Sequence, residues 1–434
     1  MLSKEDNRRL CHVGPETPMG AMLRRHWIPF LESGKLLAGA DPIAVQLLGE
    51  TFVAWRDESA QAGLFDRNCL HRGASMQLAR AEGDGLRCIY HGWKFAVDGS
   101  VLDMPNVNDP QVRAHVRGRT YPVREAGGMV WAYLGPAESE PTFPLWPWLD
   151  LPAGRRLVVP HVQECNFVQI LEGLVDSSHL GLLHSNALNQ ADSTELTFAS
   201  KVKSMQHNLA PRIEAATTDF GFYYAALRDM IEGDGSIRTE TRVTAFITPF
   251  TVMNPNGDVM VIIVPLTSTR SLFWHVFWSE AEDINLEPLR SRQLEFLGLT
   301  DQTLEHFGIT IETIDRPENP GPANNFHQDR IAMRASNSWS GMPGLVEEDI
   351  AVTVSSGPIR DRSRELLVAA DVAVNRLYRT LLGAVDDVGS DPVANIAWDV
   401  IGGMQADIRP GDDWRPLVPG LQIASAPATG RQTA

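Results

Sequence analysis

The chain has 434 residues, of which 43% are hydrophobic and 21% are charged, a composition typical of a globular protein rather than a disordered one. Its 38 basic and 54 acidic residues give a net charge of -16, the wrong sign for a surface that binds nucleic-acid phosphates. The opening MLSKEDNRRL lacks the apolar stretch of a secretion signal, and no apolar run approaches the roughly 18 residues of a membrane span. We therefore expect a cytoplasmic protein that binds neither nucleic acid nor membrane.

Short strands dominate the first third of the chain. The segment AVQLLGETFVAWR predicts a hairpin that turns at Gly49 and Glu50, and KFAVDGSVLDM predicts another at Asp98 and Gly99. These hairpins indicate a small antiparallel β unit.

A change of composition marks the end of this unit. The strand-like MVWAYL is followed by GPAESEPTFPLWPW, whose four prolines disfavour a helix interior or a central strand. We place the domain boundary here, with an N-terminal arm and β domain in residues 1–150 and a second domain in 151–420. Residues 421–434 show no periodicity and are expected to form a loose tail.

The second domain predicts an α+β fold. Its hydrophobic pattern indicates a helix over about 166–184 and one antiparallel sheet, with strands at 213–228, 241–253, 258–266 and 271–278. An amphipathic helix packed on that sheet is predicted from apolar residues three and four positions apart, namely Leu366, Ala370, Val374, Leu377 and Leu381.

A metal site is indicated in NCLHRGASMQLARAEGDGLRCIYHGWKF, where Cys69 and His71 are followed by Cys88 and His91. Two thiolates and two imidazoles suit tetrahedral zinc or an iron–sulfur centre in which histidines replace two cysteines on one iron. The alternative is a chance arrangement of buried cysteines and surface histidines. Glycines that follow each arm allow tight loops whose amides point at bridging sulfides, which favours a Rieske [2Fe–2S] cluster over zinc.

A second metal site is indicated further along the chain. Asp176 and His179 are three residues apart and would share a helix face, whereas His179 and His184 diverge by about 140° on a regular helix. Both histidines reach one metal only if the helix breaks, and Gly181 is the expected place. With a carboxylate they would form the facial triad of non-haem Fe(II) oxygenases. Taken alone, two such histidines are more often core or capping residues.

Several segments together resemble the Rieske non-haem iron oxygenases, in the phthalate dioxygenase and phenoxybenzoate dioxygenase branch. They are GPETPMGAMLRRHWIPF, CLHRGASM with CIYHGWKF, ECNFVQILEGLVDSSHLGLLH, DRIAMR and EEDIAVTVSSGPIRDRSRELLVAADVAV. The resemblance implies Asp349 as the carboxylate ligand, beside the adjacent Glu347 and Glu348. It also implies that Asp176 bridges a cluster histidine of one subunit to an iron-ligand histidine of the next.

The resemblance implies a terminal oxygenase that activates O2 at a mononuclear Fe(II) and hydroxylates an aromatic ring. Electrons would come from NADH through a separate flavin and iron–sulfur reductase, reach the Rieske cluster, and cross to the iron of a neighbouring subunit in a homotrimer or hexamer. An O-demethylase or other monooxygenase is the nearest alternative. A Rieske-type electron carrier and a zinc-stabilised binding module are alternatives from other classes.

Two arginines suggest the substrate. Strand alternation puts Arg242 on one face with Thr244 and Phe246, and groups Arg228 with Phe222 and Tyr224. An arginine on the covered face of a sheet favours an anion that matches its planar fork. We expect a benzoate- or phthalate-like substrate bound by at least one of them, although internal acidic partners or solvent would explain the arginines equally well.

Overall fold

The computed structural model describes residues 2–194, 196, 199, 202–387, 396–419 and 421. Apart from residue 421, the expected tail at 421–434 lies outside the described residues. The strands are β1 Trp27–Glu32, β2 Ile43–Leu47, β3 Glu50–Arg56, β4 Ala62–Asp66, β5 Arg80–Glu82, β6 Gly85–Arg87, β7 Lys94–Phe95, β8 Val101–Asp103, β9 Thr120–Tyr121, β10 Val123–Ala126, β11 Met129–Tyr133, β12 Arg156–Gln163, β13 Arg212–Thr218, β14 Gly221–Ile231, β15 Ile237–Ile247, β16 Thr251–Met253, β17 Val259–Thr267, β18 Arg270–Trp278 and β19 Met404–Ile408.

Two helices precede the first strand, one lies between β8 and β9, and the others lie between β12 and β13 or between β18 and β19. They are α1 Lys4–Cys11, α2 Pro18–Leu23, α3 Pro110–His115, α4 Phe167–Val175, α5 Leu180–Leu183, α6 Ser185–Gln190, α7 Leu289–Leu297, α8 Asp301–Phe307, α9 Arg330–Arg334, α10 Leu345–Ser355 and α11 Val372–Asp386. Within the described ranges, every helix is too short or too polar to cross a membrane.

The N-terminal β unit consists of small antiparallel sheets, in the orders β2-β3-β4-β9, β5-β6-β7-β8 and β1-β11-β10. Both predicted hairpins are present. In the first, Leu47 pairs with Glu50, so the turn is Leu48–Gly49, one residue earlier than expected. Both turn residues have positive φ, 49° and 80°, which matches the twist of the flanking strands.

The second part of the chain contains the predicted antiparallel sheet, in the order β12-β18-β17-β16-β15-β14-β13, with β19 paired to β15. The α+β class is therefore confirmed. The expected strand at 213–228 is a hairpin of β13 and β14 in which Thr218 pairs with Gly221.

The late amphipathic helix is shorter than the pattern predicted. It begins at Val372, and Leu366 lies before it with 86% of its surface exposed. Val374, Leu377 and Leu381 are buried as expected, and each such side chain stabilises the fold by about 1.5–3 kcal/mol. The spacing of the first two positions was coincidental, because the residues around 366–371 are not α-helical.

Helix α4, which leads to the second predicted metal site, is fixed by a buried polar cluster. Glu172 on α4 accepts hydrogen bonds from Arg362 and, at 2.7 Å, from the Tyr378 hydroxyl on α11. Arg362 has no exposed surface and also contacts the Cys11 sulfur on α1, 3.1 Å away. A buried pair of this kind is costly to break, by about 3–5 kcal/mol. It therefore holds α1, α4 and α11 together at one end of α4.

Candidate active site

The four predicted cluster residues lie at the tips of two similar loops. The Gly73 amide donates to the Cys69 carbonyl at 2.9 Å, and the Gly92 amide donates to the Cys88 carbonyl at 3.0 Å. Both glycines have left-handed backbones, with φ of 71° and 76°, which other residues rarely adopt. Each cysteine thus opens a tight turn, and the next histidine of the sequence pattern lies within or beside that turn.

The two loops bring the thiols together inside and the imidazoles to the rim. Cys69 and Cys88 are each 3% exposed, whereas the rings of His71 and His91 are half-buried with their centroids 4.5 Å apart. Burial raises the pKa of Cys69 to about 11, while the backbone amides of His71 and Arg72 oppose this by hydrogen bonding to the sulfur. Amides aimed at sulfur are expected around an iron–sulfur centre.

His71 supplies a further test of the fit. Its ring stacks on Trp93 at 4.4 Å, and its Nδ1 atom is buried without a hydrogen-bond partner in the described part of the chain. A buried ring nitrogen rarely stays unsatisfied. Two thiols and two imidazoles with a nitrogen left open are the donor set that a Rieske cluster requires.

The second group comprises His179, His184 and Asp349, which present one potential ligand atom each within 4.8 Å of one another. Asp349 Oδ1 lies 3.2 Å from His184 Nε2 and 3.7 Å from His179 Nε2. His184 Nε2 is buried and makes no hydrogen bond to any described residue. Two imidazoles and one carboxylate converge as a non-haem iron site requires.

The helix breaks before the first histidine and not between the two, where the break was expected, because His179 and His184 flank the short helix α5. Helix α4 ends at Val175, and α5 begins at Leu180. Asp176 is the C-cap residue of α4. Its Oδ2 atom lies 3.3 Å from His179 Nδ1 because the turn after α4 brings the two residues together, and not because they share a helix face. Gly181 lies inside α5, where a Cβ would come within 2.4 Å of the Met205 carbonyl oxygen. That glycine therefore serves close packing and not the break.

The sequence offered Glu348 only as an acid next to the expected ligand Asp349, and its contact with His184 was not foreseen. The Oε2 atom of Glu348 lies 2.7 Å from His184 Nδ1, and its Oε1 accepts from the Ser340 hydroxyl at 2.6 Å. A carboxylate on the far nitrogen of a metal-binding imidazole fixes its tautomer and orientation. Burial disfavours the charged imidazole, but Asp349 and Glu348 outweigh it and raise the pKa of His184 to about 10. The same negative field favours a bound cation.

A cavity of about 180 Å³ adjoins the triad. It lies between the ligand-bearing helices and the inner face of the sheet, and its polar lining includes His161, Gln163, Arg242, Thr244 and His275. An engineered cavity of about 150 Å³ accepts benzene. The space beside the triad is therefore large enough for one substituted aromatic ring.

The two predicted arginines are both buried but differ in their surroundings. Arg242 lines the cavity and donates to the side-chain carbonyls of Gln405, at 2.8 Å, and Asn256. Arg228 is not among the described residues that line it. Its guanidinium donates to the Ser177 carbonyl at 2.9 Å and to the Asn208 carbonyl at 3.0 Å.

The comparisons with known proteins agree with this geometry. Residues 26–122 match the Rieske [2Fe-2S] domain family, and residues 132–418 match the family described as LigXa C-terminal domain like. The chain is 37% identical to the phthalate 4,5-dioxygenase oxygenase subunit of Pseudomonas putida, over 89% of this chain and 86% of that protein. It is 29% identical to the 5,5'-dehydrodivanillate O-demethylase oxygenase subunit of Sphingobium sp., over 91% and 84%.

Solved structures share the fold. NdmA of Pseudomonas putida with caffeine superposes with a TM-score of 0.55 and 16% identity, covering 85% of this chain and 93% of that one. The chain therefore belongs to the Rieske non-haem iron oxygenases, as an oxygenase subunit. Within that family it falls in the phthalate dioxygenase and phenoxybenzoate dioxygenase branch. Its cofactors are a Rieske [2Fe–2S] cluster and a mononuclear iron, and it depends on an electron-transfer partner and an aromatic substrate.

Glu348→Gln should lower the affinity for the mononuclear iron by about tenfold or more, because the neutral amide weakens the basicity and orientation of His184. Iron content after dialysis against a chelator measures this, with the visible spectrum of the [2Fe–2S] cluster as an internal reference. Glu347→Gln is the matched control, since that carboxylate is buried on the same helix but faces Gly298. Equal iron loss in both variants would contradict the role of Glu348.

Proposed function

We propose that this oxygenase subunit hydroxylates a single-ring aromatic carboxylate, and that Arg242 binds the carboxylate. The observation that carries the proposal is the presence of this buried arginine in the cavity that adjoins His179, His184 and Asp349. A phthalate dioxygenase subunit as a relative of 37% identity supports an acidic aromatic substrate.

The electrostatics of Arg242 favour an anion. Burial lowers the pKa of Arg242 to about 10, partly opposed by Glu240, so the guanidinium stays charged at neutral pH. Its neighbours Gln405 and Asn256 offer neutral carbonyl oxygens. The planar fork of a guanidinium matches a carboxylate in both shape and charge, so a substrate carboxylate that enters the cavity would meet a complementary group.

Arg228 has a different proposed role. Its bonds to the Ser177 carbonyl and, at 3.1 Å, to the Ser177 hydroxyl hold the turn between α4 and α5. That turn carries Asp176 and His179. We therefore assign the carboxylate to Arg242 and regard Arg228 as a residue that positions the turn.

The metal centres follow from the geometry already described. Cys69, His71, Cys88 and His91 would hold the cluster, and His179, His184 and Asp349 would hold the iron. When bound, the cluster supplies electrons and the iron activates O2 for insertion into the substrate. Glu347 is not a candidate ligand, because its carboxylate packs against Gly298 and Gly344.

Electron transfer between subunits completes the proposal. An NADH-dependent flavin and iron–sulfur reductase would reduce the cluster, and a homotrimer, alone or stacked as a hexamer, would bring each cluster to a neighbour's iron. Asp176 supports this arrangement, because its side chain is 22% exposed and contacts His179. Leu70, Ile89 and Tyr90 beside the cluster loops are about half exposed, as an apolar contact surface would be.

We place the domain boundary near 150 and the protein in the cytoplasm.

O-demethylation is the second candidate, favoured by the dehydrodivanillate O-demethylase subunit among the relatives. The same centres would hydroxylate a methoxy carbon, which then leaves as formaldehyde. Turnover under ¹⁸O2 separates the two reactions, since ring dioxygenation retains two labelled atoms and O-demethylation releases formaldehyde. The triad and the cavity argue against a pure electron carrier or a zinc-stabilised binding module, because neither function requires them.

Cys69→Ser should abolish the cluster spectrum but leave the mononuclear iron, because an alcohol is a poor soft ligand. His184→Ala should do the reverse, and both variants should be inactive. Mixed assemblies of the two variants should regain activity, since each cluster would serve a neighbour's iron. Demonstrated hybrids without activity would contradict transfer between subunits, and an unchanged cluster spectrum in Cys69→Ser would contradict the cluster assignment.

Asp176→Asn should keep both metal centres but slow cluster oxidation during a single turnover, because the amide lacks the charge that a bridge between two imidazoles requires. Rapid mixing of the reduced protein with O2 and substrate measures the rate. Ser178→Ala is the control, as it removes only the 2.6 Å hydrogen bond to the same carboxylate. Wild-type rates in Asp176→Asn would dismiss the bridging role.

Arg242→Ala should weaken binding of an aromatic acid by about ten- to a hundredfold, the loss expected for a charged hydrogen bond. Calorimetric titration of the holoprotein with benzoate gives the affinity, and iron content should not change. Arg228→Ala is the comparison and should leave benzoate affinity closer to wild type. A normal affinity in Arg242→Ala would remove the carboxylate proposal while the oxygenase family remains.

A further inference from the structure

A chain of buried polar side chains runs from the iron-ligand helix to the far wall of the cavity. The Thr353 hydroxyl on α10 lies 3.2 Å from Gln163 Oε1 and 2.8 Å from the Asp349 carbonyl, and the Cys165 thiol also faces Gln163 Oε1 at 3.8 Å. Gln163 Nε2 lies 2.9 Å from His161 Nε2. His161 Nδ1 lies in turn 3.1 Å from His275 Nε2. His161, Gln163 and His275 are 1%, 2% and 7% exposed, and all line the cavity. None of the roles described above uses this chain.

The direction of the chain follows from the chemistry of its members. An amide nitrogen only donates, so Gln163 makes His161 Nε2 an acceptor and places the His161 proton on Nδ1. That proton is donated to His275 Nε2, which leaves the His275 proton on Nδ1. Among the described residues, none accepts a hydrogen bond from His275 Nδ1, and the ring lines the cavity. A donor therefore faces the cavity from this wall.

The donor is neutral and rigidly held. Burial lowers the pKa of His161 to about 3 and that of His275 well below its usual value, so neither ring is charged at neutral pH. His275 stacks between Phe273, at 4.2 Å, and Phe277, at 6.2 Å. The Phe273 stack on one face and the hydrogen bond at Nε2 orient the remaining N–H group of the imidazole.

His275 and Arg242 lie at different positions on the sheet wall of the cavity. Across the sheet, His275 is level with Phe246 on β15, three strands away, which separates those backbones by about 14 Å in a sheet with 4.8 Å spacing, and Arg242 lies further along β15. An oxygen ortho to a carboxylate would lie beside it, near Arg242. A partner for His275 would therefore be an oxygen substituent across the ring.

We propose that His275 is a specificity-determining residue that donates a hydrogen bond from Nδ1 to an ether or carbonyl oxygen of the substrate, meta or para to the carboxylate held by Arg242. The inference rests on the proposed function for the carboxylate half and extends it to the rest of the ring. His161, Gln163 and Thr353 are positioning residues that fix the tautomer of His275. A site built around a hydrogen bond discriminates against ligands that lack the matching group.

Matched ligands test the proposal by calorimetric titration of the holoprotein, without turnover. 4-Methoxybenzoate and 4-ethylbenzoate have similar shapes, but only the first has an oxygen acceptor. The wild type should prefer the methoxy compound by about three- to tenfold, the range of a neutral hydrogen bond. His275→Phe keeps a ring in the aromatic stack and should abolish the preference. His275→Asn presents an amide donor near the Nδ1 position and should restore part of it.

Phe277→Leu is the matched control on the same strand and face. It should change the affinities of both compounds by a similar factor and leave their ratio intact. If His275→Phe also leaves the ratio intact, or if the wild type shows no preference, the inference is overturned. A preference for 4-aminobenzoate over 4-methoxybenzoate would overturn it as well, because His275 would then be an acceptor.

Two further measurements keep the test decisive. Anisole and ethylbenzene form a matched pair that lacks the carboxylate. If the wild type prefers anisole and His275→Phe removes that preference, the inference is supported, even if Arg242→Ala has no effect on benzoate affinity. If His275→Phe loses its cluster spectrum and fails to fold, Gln163→Leu removes the amide that sets the tautomer. That variant should lower the methoxy preference, and an unchanged ratio would count against the chain.

Discussion

The hydrogen bond between His184 Nδ1 and the buried Glu348 carboxylate joins two segments that lie 164 residues apart in the chain. His179 and His184 come from the broken helical region after α4, and Asp349 comes from α10, so the triad exists only where these segments meet. Glu348 precedes Asp349 on α10 and is itself held by Ser340. The contact therefore fixes the angle of an imidazole and the register of the helix that supplies the carboxylate.

The sequence predicted the elements whose signal is local. The cysteine and histidine spacing, the hairpin dipeptides and the alternation of the long strands each depend on residues within about 25 positions. The position of the helix break was missed because Gly181 was taken as the breaker, although the aspartate that ends α4 is itself a local signal. Gly181 looked like a breaker, yet its lack of a Cβ serves the contact with Met205, while α4 ends at Asp176, whose carboxylate accepts from the Ser178 amide at 2.7 Å.

The two arginines show what strand alternation leaves undetermined. Strand alternation assigns both to a covered face, and both are buried. Alternation does not say what covers each position. Arg228 meets backbone carbonyls of the turn after α4, whereas Arg242 meets the cavity and two amides. His161 and His275 carried a usable signal, since each alternates with apolar residues of its strand, but a histidine in such a pattern is more often a satisfied core residue.

The cavity is lined from two independent sources. Its metal-facing side comes from the helical segments after α4 and from α10, whereas its opposite wall comes from strands of the sheet. Side chains on those strands point inward at every second residue, on backbones already hydrogen-bonded into the sheet. A substitution at one inward position therefore reshapes the wall without moving a metal ligand. Substitutions on the sheet can therefore change which substrates the cavity accepts while the metal-bearing segments stay the same. Relatives that share the catalytic core can diverge in substrate range.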